Sequence, residues 1–257
     1  MKSFVNSIRL EFLKTKNSTA FWFTFFAAFF MPLIQFLICV LRPEIFVPKI
    51  QPSPWKVFTH ANWKQVATII LPLFVILVNS LLLQVEFRNN TWKQVYTTPK
   101  SYSEIFFSKL LVTQCFIFFF LFLFSFAIII SGISIELCNR EYGFALDTIP
   151  WMELLKTAIG MYLVTLPVAI LQFGLSGKYK NFIIPLASGL LLWITGLVIA
   201  DWEQIHYYPY IYSTLLFFST APGHVDETAL LIRFGLLWAG LFLLVCFLEN
   251  YYKKERG

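Results

Sequence analysis

Ser176 sits among glycines in Gly174-Leu175-Ser176-Gly177, the small-residue setting that a serine nucleophile inside a membrane would need. Such a serine works only with a base, here a histidine, within hydrogen-bond reach. The three histidines, His60, His206 and His224, fall in polar intervals that the charge pattern assigns to the opposite side of the bilayer. An intramembrane protease is therefore not expected, and the motif reads as small residues ending a helix. A metal-dependent hydrolase would need His and Glu groups buried together, and no apolar run carries such a pair. The cysteines, Cys39, Cys115, Cys138 and Cys246, are far apart and form no C-x-x-C, so they read as small apolar fillers rather than metal ligands. A proton-coupled carrier places Asp, Glu or His at mid-membrane, and this chain places none there. No G-x-x-x-x-G-K-[ST] loop occurs, Gly177-Lys178-Tyr179 being only an echo of one. No catalytic residue and no metal site is expected. If the protein moves anything uphill, another subunit supplies the energy.

The elements that hold these residues are apolar. Of 257 residues 58% are hydrophobic and only 13% charged, with a mean hydropathy of +0.70 and 30 phenylalanines. A soluble domain is about 25% charged, so the fold class is an all-α membrane protein. The net charge of +6 is spread over short loops, as the positive-inside bias requires, and nucleic-acid binding is not expected. The first sixteen residues are too polar for a signal peptide and the apolar run after them is too long, so the first span should stay as an anchor.

Charge-free runs predict six transmembrane helices in one transmembrane domain covering 1–257. They are 17–41, 65–85, 110–133, 157–177, 181–200 and 228–248, the last interrupted only by Arg233. Each approaches the roughly 20 residues that cross about 30 Å of hydrocarbon, while a charge at mid-bilayer costs about 2.5–3.5 kcal/mol. Arg233, near one end of its span, can snorkel. With both termini, 88–109 and 178–180 in the cytoplasm, that side holds Lys2, Arg9, Lys14, Lys16, Arg88, Lys93, Lys100, Lys109, Lys178, Lys180, Lys253, Lys254 and Arg256. These are 13 of the 20 basic residues, against five of the 14 acids, Glu11, Glu86, Glu104, Glu249 and Glu255.

Within 1–16, Phe4, Val5, Ile8 and Phe12 share a helical face and Lys2, Arg9 and Lys16 cluster opposite, which predicts an interfacial amphipathic helix on membrane lipid. The interval 42–64 holds Pro43, Pro48, Pro52 and Pro54 and is expected to be irregular and extended. The interval after span five runs through Tyr207, Tyr208, Tyr210 and Tyr212 into a short apolar stretch, 211–218. That stretch is too short to cross and reads as a re-entrant or interfacial turn, with the tyrosines equally expected as an aromatic belt. Pro32, Pro72, Pro167 and Pro185 lie inside spans and free carbonyls there. Gln35, Asn79, Ser80, Gln114 and Gln172 are the intramembrane polar residues. Helix-to-helix hydrogen bonding is their first reading, and Asn79, Gln114 and Gln172 are the candidates for lining a substrate path.

The polar interval 86–109, EFRNNTWKQVYTTPKSYSEIFFSK, has a plan of its own. Trp92, Val95 and Tyr96 have i, i+3, i+4 spacing and give a short helix one apolar face. Pro99 stops that helix and biases Thr98 to an extended conformation. Ser101-Tyr102-Ser103-Glu104 is a capping-box sequence that starts a new helix. A short helix held across two membrane helices by a proline turn can fit a partner's groove and transmit its movement.

At Glu86, Trp92-Lys93, Pro99, Ser101/Ser103 and Lys109 the chain resembles the permease subunits of type-two ABC exporters. Phe12-Leu13-Lys14 followed by Phe21-Trp22 resembles the bacteriocin- and lantibiotic-immunity branch. The resemblance implies a multi-pass subunit of a bacterial cytoplasmic membrane that exports an amphipathic cargo, a peptide such as a bacteriocin or a lipid-like molecule. It implies two ABC ATPase subunits, which bind ATP and magnesium so that this chain needs no cofactor, and a second permease chain, identical or related. Glu86, Arg88, Asn90, Trp92, Lys93, Val95, Tyr96, Pro99, Ser101 and Glu104 would be the coupling-helix contact with the ATPase. The connection between spans five and six would fold back toward the membrane. A non-transporting membrane scaffold or sensor subunit is the alternative.

Overall fold

The structure is a computed structural model that describes residues 2–51, 53–88, 101–220 and 226–255. Among these residues there is no strand. The helices are α1 (Lys2–Thr15), α2 (Thr19–Leu41), α3 (Pro43–Ile50), α4 (Pro54–Gln65), α5 (Leu71–Arg88), α6 (Tyr102–Cys138), α7 (Trp151–Lys178), α8 (Ile183–Val198), α9 (Tyr212–Ser219) and α10 (Thr228–Glu255), with a π-helical turn, Val66–Ile70, joining α4 to α5. Lacking water, a bilayer forces each crossing segment to satisfy its own backbone, and the charge-free runs do so as helices. Five of the described helical segments are long and apolar enough to cross: Thr19–Leu41, Pro54–Val85, Tyr102–Cys138, Trp151–Lys178 and Thr228–Glu249. The apolar run predicted as span five forms α8, a helix of only 16 residues.

One expectation about local structure is corrected. The proline-rich interval after α2 is helical rather than extended. Pro43 and Pro54 occupy the first turns of α3 and α4, where a missing N–H costs nothing and the fixed φ suits the helix. Helices also run past the hydrocarbon limits set by charge. α6 runs for 37 residues from Tyr102, where the predicted capping serine Ser101 starts it, and α7 begins at Trp151, so both extend beyond the charge-free runs 110–133 and 157–177. Charge marks where lipid ends, whereas a capping serine or a proline marks where a helix ends.

α5 is the centre of the bundle. Leu71, Phe74, Val75, Ile76 and Val78 are fully buried, so this helix has no wide lipid face. Around it, α2 pairs extensively with α6 and α7 with α10, while α8 lies against α5. Large apolar side chains on the outer helices face outward, Phe26 at 64% exposure and Leu237 at 70%, as lipid-facing positions should. At one end a polar–aromatic cap closes the bundle. Trp55 Nε1 donates to the Ala145 carbonyl at 2.8 Å, and the Tyr142 hydroxyl donates to the Cys39 carbonyl at 2.7 Å. Gly132 lets the Trp55 ring approach, since a Cβ there would lie 2.6 Å from it. Burial pushes the Tyr142 hydroxyl up to about 12. The staple is therefore intact below the ordinary tyrosine range and is lost as pH rises through that raised value.

The π turn has a specific cause. The Leu71 N–H donates to the Val66 carbonyl, one residue further back than in an α-helix. This leaves the Ala67 carbonyl without its usual donor, and Pro72 has no N–H to supply one. The hydroxyl of Ser213, on α9, donates to Ala67 O at 2.7 Å. A buried acceptor that loses its donor costs about 1–3 kcal/mol. Ser213→Ala should lower the unfolding free energy by about that amount in denaturant titrations in micelles. In a Pro72→Ala background, where a backbone donor returns, the same change should cost clearly less. Equal costs in both backgrounds would break the link between proline and serine.

Candidate functional site

The structure reaches the polar interval from both sides. α5 carries the chain to Arg88, and Ser101 restarts it by accepting a hydrogen bond from the Glu104 N–H at 3.3 Å, with Ser101 in extended backbone (φ −66°, ψ 147°). That is the serine half of the predicted capping box. Glu86 and Arg88 lie in the last turn of α5, and Asn90, Trp92, Lys93, Val95, Tyr96 and Pro99 lie outside the described residues.

The first turns of α6 are anchored where sequence alone had shown only a capped start. Tyr102, Phe106 and Leu110 join Leu83, Ile170, Phe173, Ala239 and Cys246 in a buried cluster that ties α5, α6, α7 and α10 together. The Phe106 ring meets Phe173 and Phe247 edge-on at 5.4 and 5.5 Å, and Phe107 stacks on Phe247 at 5.7 Å. Two ion pairs brace the same end: Lys109 to Glu11 at 3.5 Å, joining α6 to α1, and Lys178 to Glu249, joining α7 to α10. The aromatic contacts are short-range and mutually locked. The base of α6 is therefore packed as one unit with α7 and α10.

The candidate path residues are distributed over three helices. Asn79 and Gln172 are fully buried on α5 and α7, and Gln114 is half-buried on α6. Asn79 Nδ2 donates to the Val75 carbonyl of its own helix at 2.8 Å, and Gln172 Nε2 donates to the Tyr210 hydroxyl at 2.8 Å. The side-chain oxygens of all three, and the Gln114 amide nitrogen, have no protein partner. Ser80 also bonds its own helix, through the Ile76 carbonyl, and meets Ser176 Oγ at 3.3 Å. Helix-to-helix bonding thus holds for Gln172 and Ser80, whereas Asn79 bonds within its helix. α8 closes over this seam at Gly189, where a Cβ would lie 2.3 Å from Gln172 Nε2 and 2.8 Å from Ile76.

The glycine–serine motif is packing. A Cβ on Gly174 would lie 2.2 Å from Cys246 Sγ, so the glycine sets the close approach of α7 to α10, and Ser176 faces Ser80. Lys178 and Glu249 pair at this end, while His206 Nε2 lies 3.6 Å from Glu227 at the start of α10. Glu227 to Glu249 is roughly 33 Å of helix at about 1.5 Å per residue. His60 precedes Ser80 by roughly 30 Å of helix on the same scale, and His224 lies outside the described residues. Among the described residues no group of His, Cys, Asp or Glu is placed to hold a metal ion.

The tyrosine run supplies the residues that sequence reasoning missed. Tyr208 donates to the Leu192 carbonyl at 2.6 Å, Tyr212 donates to the His206 carbonyl, and Tyr210 accepts from Gln172. Three of these tyrosines are internal ties rather than a belt, and only Tyr207 is largely exposed, at 55%. The available signal was four tyrosines within six residues before an apolar stretch too short to cross. That stretch forms α9, buried between the π turn, α7 and α10.

Removing one partner of a buried pair costs more than removing both. Tyr210→Phe should destabilise by about 1–3 kcal/mol. Tyr210→Phe with Gln172→Leu should cost less than the two single changes summed, measured as a double-mutant cycle on thermal unfolding in detergent. Additive costs would mean that the hydrogen bond contributes nothing.

Compared with known proteins, residues 7–196 match a family described as ABC-2 family transporter protein. Neither the curated proteins nor the solved structures yielded a match.

Proposed function

Since the chain belongs to the ABC-2 family of transporter proteins, we propose that it is the permease subunit of an ATP-driven exporter in a bacterial cytoplasmic membrane. The family is one of multi-pass transport subunits that generally pair with an ABC ATPase. In this reading two ATPase subunits bind ATP and magnesium and work on two permease chains, identical or related. α8 serves as a short fifth span, giving six, with both termini in the cytoplasm. α9 is the stretch that folds back into the membrane between spans five and six.

The observation that carries the reading is the fixed base of α6. A helix that only resumed after a loop would need no aromatic lock, yet Tyr102 and Phe106 join this one to α7 and α10. Residues 86–104 act as the coupling segment, with Glu86, Arg88, Asn90, Trp92, Lys93, Val95, Tyr96, Pro99, Ser101 and Glu104 as its contact with the ATPase. Closure of the ATPases on ATP draws the two coupling segments together. The lock then passes that displacement to the bundle, which alternates between inward- and outward-open forms. By linkage, cargo on the permease changes ATP turnover. The aromatic, uncharged spans suit an amphipathic cargo such as a bacteriocin-like peptide or a lipid. Asn79, Gln114 and Gln172, with oxygens that lack a protein partner, are the polar groups such a path would offer.

Trp92→Ala with Tyr96→Ala should abolish co-purification of a nucleotide-binding protein in mild detergent and reduce transport about tenfold or more, as loss of an aromatic hot spot does. Phe106→Leu should keep the ATPase bound but weaken the effect of cargo on ATP turnover. Undiminished transport by the Trp92/Tyr96 variant would refute the coupling role. Normal function with a catalytically dead ATPase would point instead to a scaffold or sensor.

A further inference from the structure

α1 is turned back against the bundle by a three-residue elbow. Asn17 takes the left-handed conformation, φ 59°, which Asn tolerates better than most residues. Thr15 Oγ1 donates to the Phe12 carbonyl at 2.9 Å, and Ser18 caps α2 by accepting from the Phe21 N–H at 3.3 Å. Ser7 and Thr15 are buried, while Val5, Phe12 and Leu13 are exposed at 60%, 40% and 57%. The predicted apolar face is therefore split: Phe4 and Ile8 are half-buried, and Val5 and Phe12 point outward.

This arrangement leaves a crevice of about 430 Å³ between α1, α2 and α6, within the range of about 300–1,000 Å³ of small-ligand sites. Phe21, Cys115, Phe116 and Phe119 line its apolar wall, and Arg9 and Lys16 stand at its rim. The wall is rigid, because Phe25 packs edge-on against both Phe21 and Phe119, at 5.1 and 5.7 Å. Arg9 and Lys16 are two helical turns apart, roughly 10 Å. The acid on the same helix, Glu11, is engaged by Lys14 at 2.8 Å and Lys109 at 3.5 Å, so it does not neutralise the rim. The site thus offers two cations above a dry aromatic slot, at the end of the bundle richest in basic residues.

We infer that this crevice binds one anionic phospholipid, with its phosphate between Arg9 and Lys16 and an acyl chain along Phe116 and Phe119. A peptide would need backbone partners that the carbon-lined wall does not supply. A zwitterionic lipid would bring its own cation to a rim that already holds two. The lipid pins α1 against α6, and the site exists whether or not the chain exports anything.

The test uses the full chain in nanodiscs of equal phosphatidylglycerol and phosphatidylcholine with matched acyl chains, transferred to mild detergent and read by native mass spectrometry. The wild type should retain phosphatidylglycerol preferentially. Arg9→Gln with Lys16→Gln should lower that retention about 25-fold, from about fivefold per basic residue near a membrane surface. The charge-matched variant Lys56→Gln with Lys156→Gln should leave it unchanged. Cys115→Phe, which fills the slot without changing charge, should also lower it. Equal retention of both lipids, a loss as large in the charge-matched control, wild-type retention in Cys115→Phe, or displacement of the lipid by millimolar inorganic phosphate would each overturn the assignment.

Discussion

A backbone carbonyl stripped of its donor inside lipid has no water to turn to, and Pro72 creates one in the most buried helix of the bundle. The π turn at Val66–Ile70 moves that carbonyl to Ala67, and Ser213 satisfies it from across the bundle. Other features follow from this exchange. α9 must lie at the level of the π turn, so the segment between α8 and α10 cannot stay at the surface. Its tyrosines are drawn inward to Leu192, Gln172 and His206. α8 is drawn over the α5–α7 seam at Gly189. Single π turns are frequent at functional sites, and this one lies between the polar cap at one end and the aromatic lock at the other.

The two ends of the molecule are built differently. One is closed by neutral hydrogen bonds and edge-on rings around Trp55, Tyr142 and Phe144. The other is held by aromatic packing at Phe106 and Phe247 with ion pairs around it. Ion pairs at an exposed edge contribute little energy singly, so the rings provide the rigidity there. That end is one packed block of α6, α7 and α10.

The class of fold was legible because hydropathy is a sum over many residues. No single loop could have hidden 30 phenylalanines. Five of the six charge-free runs coincide with helical segments long and apolar enough to cross, while the ends of the helices were not legible from charge, since lipid thickness and helix termini obey different rules at Pro43, Pro54 and Ser101. Ser101 was readable as a cap because capping is local. The Phe106–Phe173 and Gln172–Tyr210 contacts were not, because each joins residues whose meeting depends on how whole helices cross. The serine motif is ambiguous by residue type, since small residues serve catalysis and close packing alike, and the Cys246 side chain against Gly174 supports the packing reading that the histidine positions already favoured.

In the proposed reading, a partner's motion enters the bundle through residues 86–104. The most direct measurement places a photo-crosslinking amino acid at position 92 of the otherwise unaltered chain and illuminates membranes with and without a non-hydrolysable ATP analogue. Capture of a nucleotide-binding subunit at position 92, in a yield that changes with nucleotide, is the predicted result. Capture of none there, with the ATPase recovered instead from a probe at position 147 at the opposite end, would contradict it.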